Sequence, residues 1–179
     1  DSAQTETLYK GYLQIPATRF RTAEEQWALV DDVIEAVLKS VPGFVRSDLE
    51  ALEWCLSEIT DNVINHSASP GGGVAQLSNR SKSRKIEFAI CDVGASIPKT
   101  LRPSHPEIYE DFDALSWAIR EGVTRDLAIG QGNGLFGSSE VCAGSGGFIS
   151  IQSGRGSLHK NQDGLSLKNQ KIPFAGTLI

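Results

Sequence analysis

The stretch "SEITDNVINHS", residues 57–67, decides how this chain reads. It sits in an otherwise apolar segment, yet it carries Glu58, Asn62, Asn65 and His66 together. At about 100° per residue, Leu52, Cys55, Leu56, Ile59 and Val63 form one stripe that faces a core. Glu58 and Asn62 lie one turn apart along the margin of that stripe, and Asn65 points nearly the same way. Such an edge is either the polar rim of a packed helix or the wall of a pocket. In a pocket, a carboxylate can act as a general base. An amide carbonyl one turn away can be an oxygen ligand for Mg²⁺, which shares its ligands with substrate phosphates.

Working outward, the residues before this helix predict a strand over "TLYKGYLQI", 7–15, and a helix over "RTAEEQWALVDDVIEAVLKS", 21–40. That first helix places Trp27, Val30, Ile34, Val37 and Leu38 on its apolar face and stops at Pro42 and Gly43. Ser47 is expected to cap the second helix, with Glu50 three residues on closing a capping box. "SPGGG" ends that helix near Ser67. "VAQLSN" and "RKIEFAICD" follow as two strands around the polar turn "NRSKSRK", with Ile86, Phe88 and Ile90 on one face.

A second polar island, "CDVGASIP", 91–98, ends a strand on Asp92 and turns at Gly94. An Asp at the carboxyl end of a strand is a frequent ligand contact. A carboxylate there accepts well from an exocyclic amino group such as that of adenine. A plain Asp-x-Gly turn is the alternative. From Gly94 to Gly130 the chain holds prolines at 98, 103 and 106 and one short amphipathic helix near 111–121, which predicts a functional or moving segment.

A third island, "GQGNGLFG", 130–137, contains a literal G-x-G-x-x-G at Gly132, Gly134 and Gly137. No buried parallel strand precedes it and no acidic residue follows at the right distance, so it is not a Rossmann dinucleotide fingerprint. It reads as a glycine loop feeding a helix that runs to about Ala143, and the backbone N–H groups at such a helix start suit phosphate. "GGFISIQSG" is a strand, 154–171 a hairpin tip or loose loop, and "KIPFAGTLI" a last strand.

Bulk properties narrow the function classes. The chain has 179 residues, 40% hydrophobic and 22% charged, which suits one soluble domain. A net charge of -5 argues against a nucleic-acid surface. Cys55, Cys91 and Cys142 are far apart in apolar contexts and read as reduced core residues of a cytoplasmic protein. The three histidines lack metal-ligand spacing. No apolar run reaches the roughly 18 residues of a membrane span, so no membrane insertion is expected. A chain that starts at Asp1 and contains no Met reads as an excised piece of a longer protein.

The order of the islands carries more than any one of them. Glu-x-x-x-Asn on a helix, Asp-x-Gly-x-x-Ile after a strand, Gly-x-Gly-x-Gly-Leu before a helix and Gly-Thr in a late strand together resemble the GHKL ATPase superfamily. These are the Bergerat-fold proteins, which include gyrase, heat-shock chaperones and histidine kinases. The resemblance spans residues 22 to 179. It implies a two-layer α/β sandwich with a mixed, largely antiparallel sheet and helices on one face, forming a single ATP-binding domain over 1–179 with a lid at about 99–129. It further implies that Glu58 is the catalytic base and Asn62 a Mg²⁺ ligand. Asp92, Gly94 and Thr177 would hold adenine, and Gly130, Gly132, Gly134 and Leu135 would lie along the phosphates. With Glu58 four before Asn62 and His66 four after, the helix is most similar to that of anti-sigma-factor serine kinases. Asp61 and Asn65 make it more polar than theirs, and the lid is longer. The implied function is a Mg-ATP-dependent kinase or ATPase acting on a regulatory protein. The alternatives are a nucleotide-gated interaction module without efficient turnover and a detached histidine kinase catalytic domain.

Overall fold

In a computed structural model, residues 14–40, 43, 45–80, 85–123 and 133–179 are described. They form five strands and five helices in one two-layer α/β arrangement. The elements run β1 (Gln14–Phe20), α1 (Ala23–Ser40), α2 (Glu50–His66), β2 (Gly73–Arg80), β3 (Lys85–Asp92), α3 (Ile97–Leu101), α4 (Asp111–Ala118), α5 (Gly134–Gly144), β4 (Phe148–Asn161) and β5 (Gly164–Leu178). The strands lie in the order β1-β2-β3-β5-β4. All four pairings are antiparallel, so the sheet is not the mixed one expected. The cause is β5, which turns back from β4 as a hairpin and inserts between β4 and β3, antiparallel to both.

Two helices cover the β1–β3 half. In α1 the buried positions are Gln26, Leu29, Val30, Val33, Ile34, Ala36 and Val37. The apolar ones pack with Leu56, Ile59 and Val63 of α2 onto Phe20, Ala75, Leu77 and Ile90 of the sheet, and each Val, Leu, Ile or Phe contributes about 1.5–3 kcal/mol on burial. Trp27 is a correction, since it is 62% exposed. Its azimuth is that of Ile34, but periodicity alone does not say whether anything lies opposite a helix's first turns. The buried neighbour is Gln26 instead, whose amide donates to Thr60 Oγ1 at 3.0 Å and fastens α1 to α2. Ser47 is a second correction. It lies inside a 3₁₀ turn, Arg46–Leu49, where Asp48 Oδ2 accepts the Val45 N–H at 2.9 Å. The strand expected over 7–15 lies mostly outside the described residues, and the described strand begins at Gln14.

The other half is built from the segment read as broken by proline. Pro98 stands in the first turn of α3, where a missing N–H costs nothing. Leu115 of α4 packs against Ile149, Ile151 and Leu158 of β4, while Leu101, Ile108, Ala114 and Ala118 close a smaller cluster above it. Asp111 anchors the start of α4. It accepts from Arg102 Nη2 at 2.7 Å and from the Arg155 N–H, beside the bulge in β4, at 2.7 Å. The polar region 154–171 is a hairpin of two long strands rather than a loose loop. All three cysteines are free thiols, Cys55 buried and Cys91 and Cys142 half-buried. Among the described residues no helix is long and apolar enough to cross a membrane.

Candidate functional site

The three polar islands meet. A cavity of about 560 Å³ opens between α2, the ends of β3 and β5, the α3–α4 layer and the start of α5. That volume lies within the roughly 300–1,000 Å³ typical of small-molecule sites. Glu58, Asn62, Asp92, Gly134, Leu135 and Thr177 all line it, and Asp61, Asn65 and His66 extend the polar edge along α2. Gly130 and Gly132 lie outside the described residues.

Asp92 ends β3 and is 5% exposed. Burial pushes its carboxyl above the ordinary Asp range, and the amides of Gly94 and Thr177 pull it back. The Gly94 N–H donates to Asp92 Oδ1 at 2.7 Å. The residue opposite Asp92 on β5 is Thr177. Gly176 makes that pairing possible. Its φ is +96°, and a Cβ there would collide with the Asp92 carbonyl, so only glycine lets β5 press onto the end of β3 in this way. Gly94 allows a close approach too, but to protein. A side chain there would run into the Ser67 carbonyl, to which the Ala95 N–H donates. The turn after Asp92 is thereby pressed onto the C-terminal end of α2.

Glu58 is half-buried, and its carboxyl is raised first by burial and then by the neighbouring Asp61 charge. It lies directly over the start of α5. A Cβ at Gly134 would overlap the Glu58 carboxylate, and one at Gly137 would overlap the Trp54 ring. Trp54 and Glu58 are four apart on α2; Gly134 and Gly137 are three apart on α5. The last two glycines of G-x-G-x-x-G therefore let two helices touch and bring a helix N-terminus to the carboxylate. Asn133, just before α5, accepts the Gly122 N–H on its Oδ1 at 3.2 Å, which pins together the two flanks of residues 124–132.

The donor set can be tested against a metal. Among the described residues no group of three or more His, Cys, Asp or Glu side chains could hold an ion. Asn62 and Glu58 offer a short row of oxygens instead. That fits Mg²⁺, which takes most of its ligands from phosphate and water and few from protein. Elsewhere in the lining, Asp92 and Thr177 offer acceptors to a ligand edge that carries an amino group.

Trp54, Thr100 and Asn133 also line the cavity and were not found by sequence reasoning. Asn133 carried a signal, since Asn before a helix is a capping residue. Trp54 carried one in its spacing of four from Glu58. Thr100 lies in α3, which the prolines concealed. No family model, curated protein or solved structure matches this chain.

Proposed function

We propose that this chain is a Mg-ATP-binding domain of the GHKL, Bergerat-fold kind, and that it transfers or hydrolyses the terminal phosphate. One observation carries the reading. Glu58 and Asn62, Asp92, Gly134 and Leu135, and Thr177 are separated by up to 119 residues of sequence, yet they line one cavity. Asp92 would accept a hydrogen bond from the adenine amino group. Asn62 would hold Mg²⁺, whose role when bound is to neutralise phosphate charge. Gly134 and the start of α5 would present N–H groups to phosphate, together with Gly130 and Gly132. Glu58, with its raised carboxyl, would take the proton of an attacking hydroxyl or water. A serine hydroxyl of a regulatory protein is the acceptor that the likeness to anti-sigma-factor kinases favours.

The test is displacement of a fluorescent ATP analogue from the folded protein. ATP and ADP should displace it, and inorganic tripolyphosphate should do so far less well, because it has nothing to offer Asp92. Equal displacement by tripolyphosphate would mean a phosphate site without a base pocket and would overturn the assignment of Asp92 and Thr177.

A further inference from the structure

Ser153 lies in β4, has no exposed surface and does not reach the cavity, yet three segments of the site meet on its hydroxyl. It donates to the Gly176 carbonyl at 2.7 Å. It accepts the N–H of Ile97, the first residue of α3, at 2.8 Å. It lies 3.0 Å from Thr177 Oγ1. A serine hydroxyl has one proton and two lone pairs. The Gly176 carbonyl can only accept, so it takes that proton. The Ile97 N–H can only donate, so it fills one lone pair. The remaining lone pair can serve Thr177 only if Thr177 is the donor. The single Thr177 proton is thus turned away from the cavity, and what Thr177 offers a ligand is an acceptor.

We infer that Ser153 is a positioning residue that makes the Asp92–Thr177 end of the cavity acceptor-only, and so selects a purine bearing an amino group at C6 over one bearing a carbonyl. The inference rests on the nucleotide reading above and goes beyond it by naming what sets base discrimination. Without Ser153 the Thr177 hydroxyl can rotate and donate, which a C6 carbonyl would welcome. The Ile97 bond carries the same atom into α3, so the anchoring of the α3–α4 layer and the choice of base share one buried group.

The probe pair is ATP and inosine triphosphate, which differ at C6 by amino against carbonyl and at N1 by a lone pair against an N–H. Wild type should prefer ATP. In Ser153→Ala that preference should fall about tenfold, the size of one hydrogen bond whose sense has been reversed. Thr177→Val should lower it similarly, Thr177→Ser should keep it, and adding Ser153→Ala to Thr177→Val should change it no further. A purely structural Ser153 would weaken both nucleotides alike and leave the ratio unchanged, which would overturn the inference. If Ser153→Ala does not fold, the wild-type Thr177 hydroxyl proton decides by NMR. Slow exchange, with a cross-peak to Ser153, supports the assignment; exchange as fast as that of a surface threonine overturns it. Wild type that binds ATP and inosine triphosphate equally sinks this inference together with the Asp92 contact to the amino group, whereas wild type that binds neither sinks the nucleotide reading itself.

Discussion

Asp92→Asn should separate stability from binding, because the two make opposite demands on one carboxylate. In the free protein Asp92 is 5% exposed and its carboxyl is raised by burial against the opposing amides of Gly94 and Thr177. A carboxyl whose folded value lies above its unfolded value favours the protonated folded state. The free protein should therefore gain stability as the pH falls through that raised value, and lose it as the pH rises. Asparagine is neutral at every pH, so the variant should melt no lower than wild type at pH 7 and should lose this pH dependence. Binding goes the other way. The N–H groups of Gly94, 2.7 Å away, and of Thr177 both hold the carboxylate, and in asparagine one of its two oxygens becomes an NH₂. A ligand amino group then meets a donor in place of a charged acceptor. The loss of a charge-assisted hydrogen bond is about 1.5–3 kcal/mol, or roughly 10- to 150-fold in Kd. Titration calorimetry gives Kd, and thermal melts between pH 4 and 8 give stability. Wild-type binding should weaken in the acid range where the carboxyl takes up its proton. Unchanged affinity in the variant would place the base elsewhere. A variant that is both less stable and equally tight would refute the electrostatic argument altogether.

Three other outcomes follow from the same geometry. Glu58→Gln removes the proposed base and keeps the shape, so ADP release should fall about 10²- to 10⁴-fold while ATP still binds; undiminished turnover would remove Glu58 from the chemistry. Gly176→Ala should lower stability in a denaturant melt by about 1–3 kcal/mol, because its φ of +96° is strained for any side chain and its methyl meets the Asp92 carbonyl. Unchanged stability would contradict the close approach of β5 to the end of β3. In hydrogen exchange, α3 and α4 should be protected with or without nucleotide, since Leu101, Ala114 and Leu115 are buried. Mg²⁺ and a non-hydrolysable ATP analogue should add protection at the N–H groups of Gly134 and Leu135, which line the cavity, and identical patterns at saturation would take the start of α5 out of the proposed phosphate site.

What the sequence disclosed, and what it hid, follows from the range of each interaction. The α2 edge was legible because a helix repeats every 3.6 residues and Glu58, Asn62 and Asn65 stand at that spacing. Asp92 was legible because it ends an alternating strand before a turn. The helix α3 was hidden by Pro98, which reads as a breaker but is harmless in a first turn. The full length of the hairpin was hidden on its β5 side, because β4 alternates into the core through Ile149, Ile151 and Leu158 while β5 does not. Its outer strand β5 buries little along its length, so no alternation of apolar residues betrays it. The Rossmann-like glycine pattern misled in kind, since Gly134 and Gly137 serve contact between helices. Ser153 left no trace, because each of its partners lies at least 23 residues away.

The most direct measurement is a calorimetric titration of the folded protein with ATP, in Mg²⁺ and again in excess EDTA. The proposed nucleotide site predicts one ATP per chain, bound more tightly with Mg²⁺ than without, and an Asn62→Ala variant in which that difference is lost. No heat from ATP or ADP under either condition, from protein that melts cooperatively, would contradict the account at its centre.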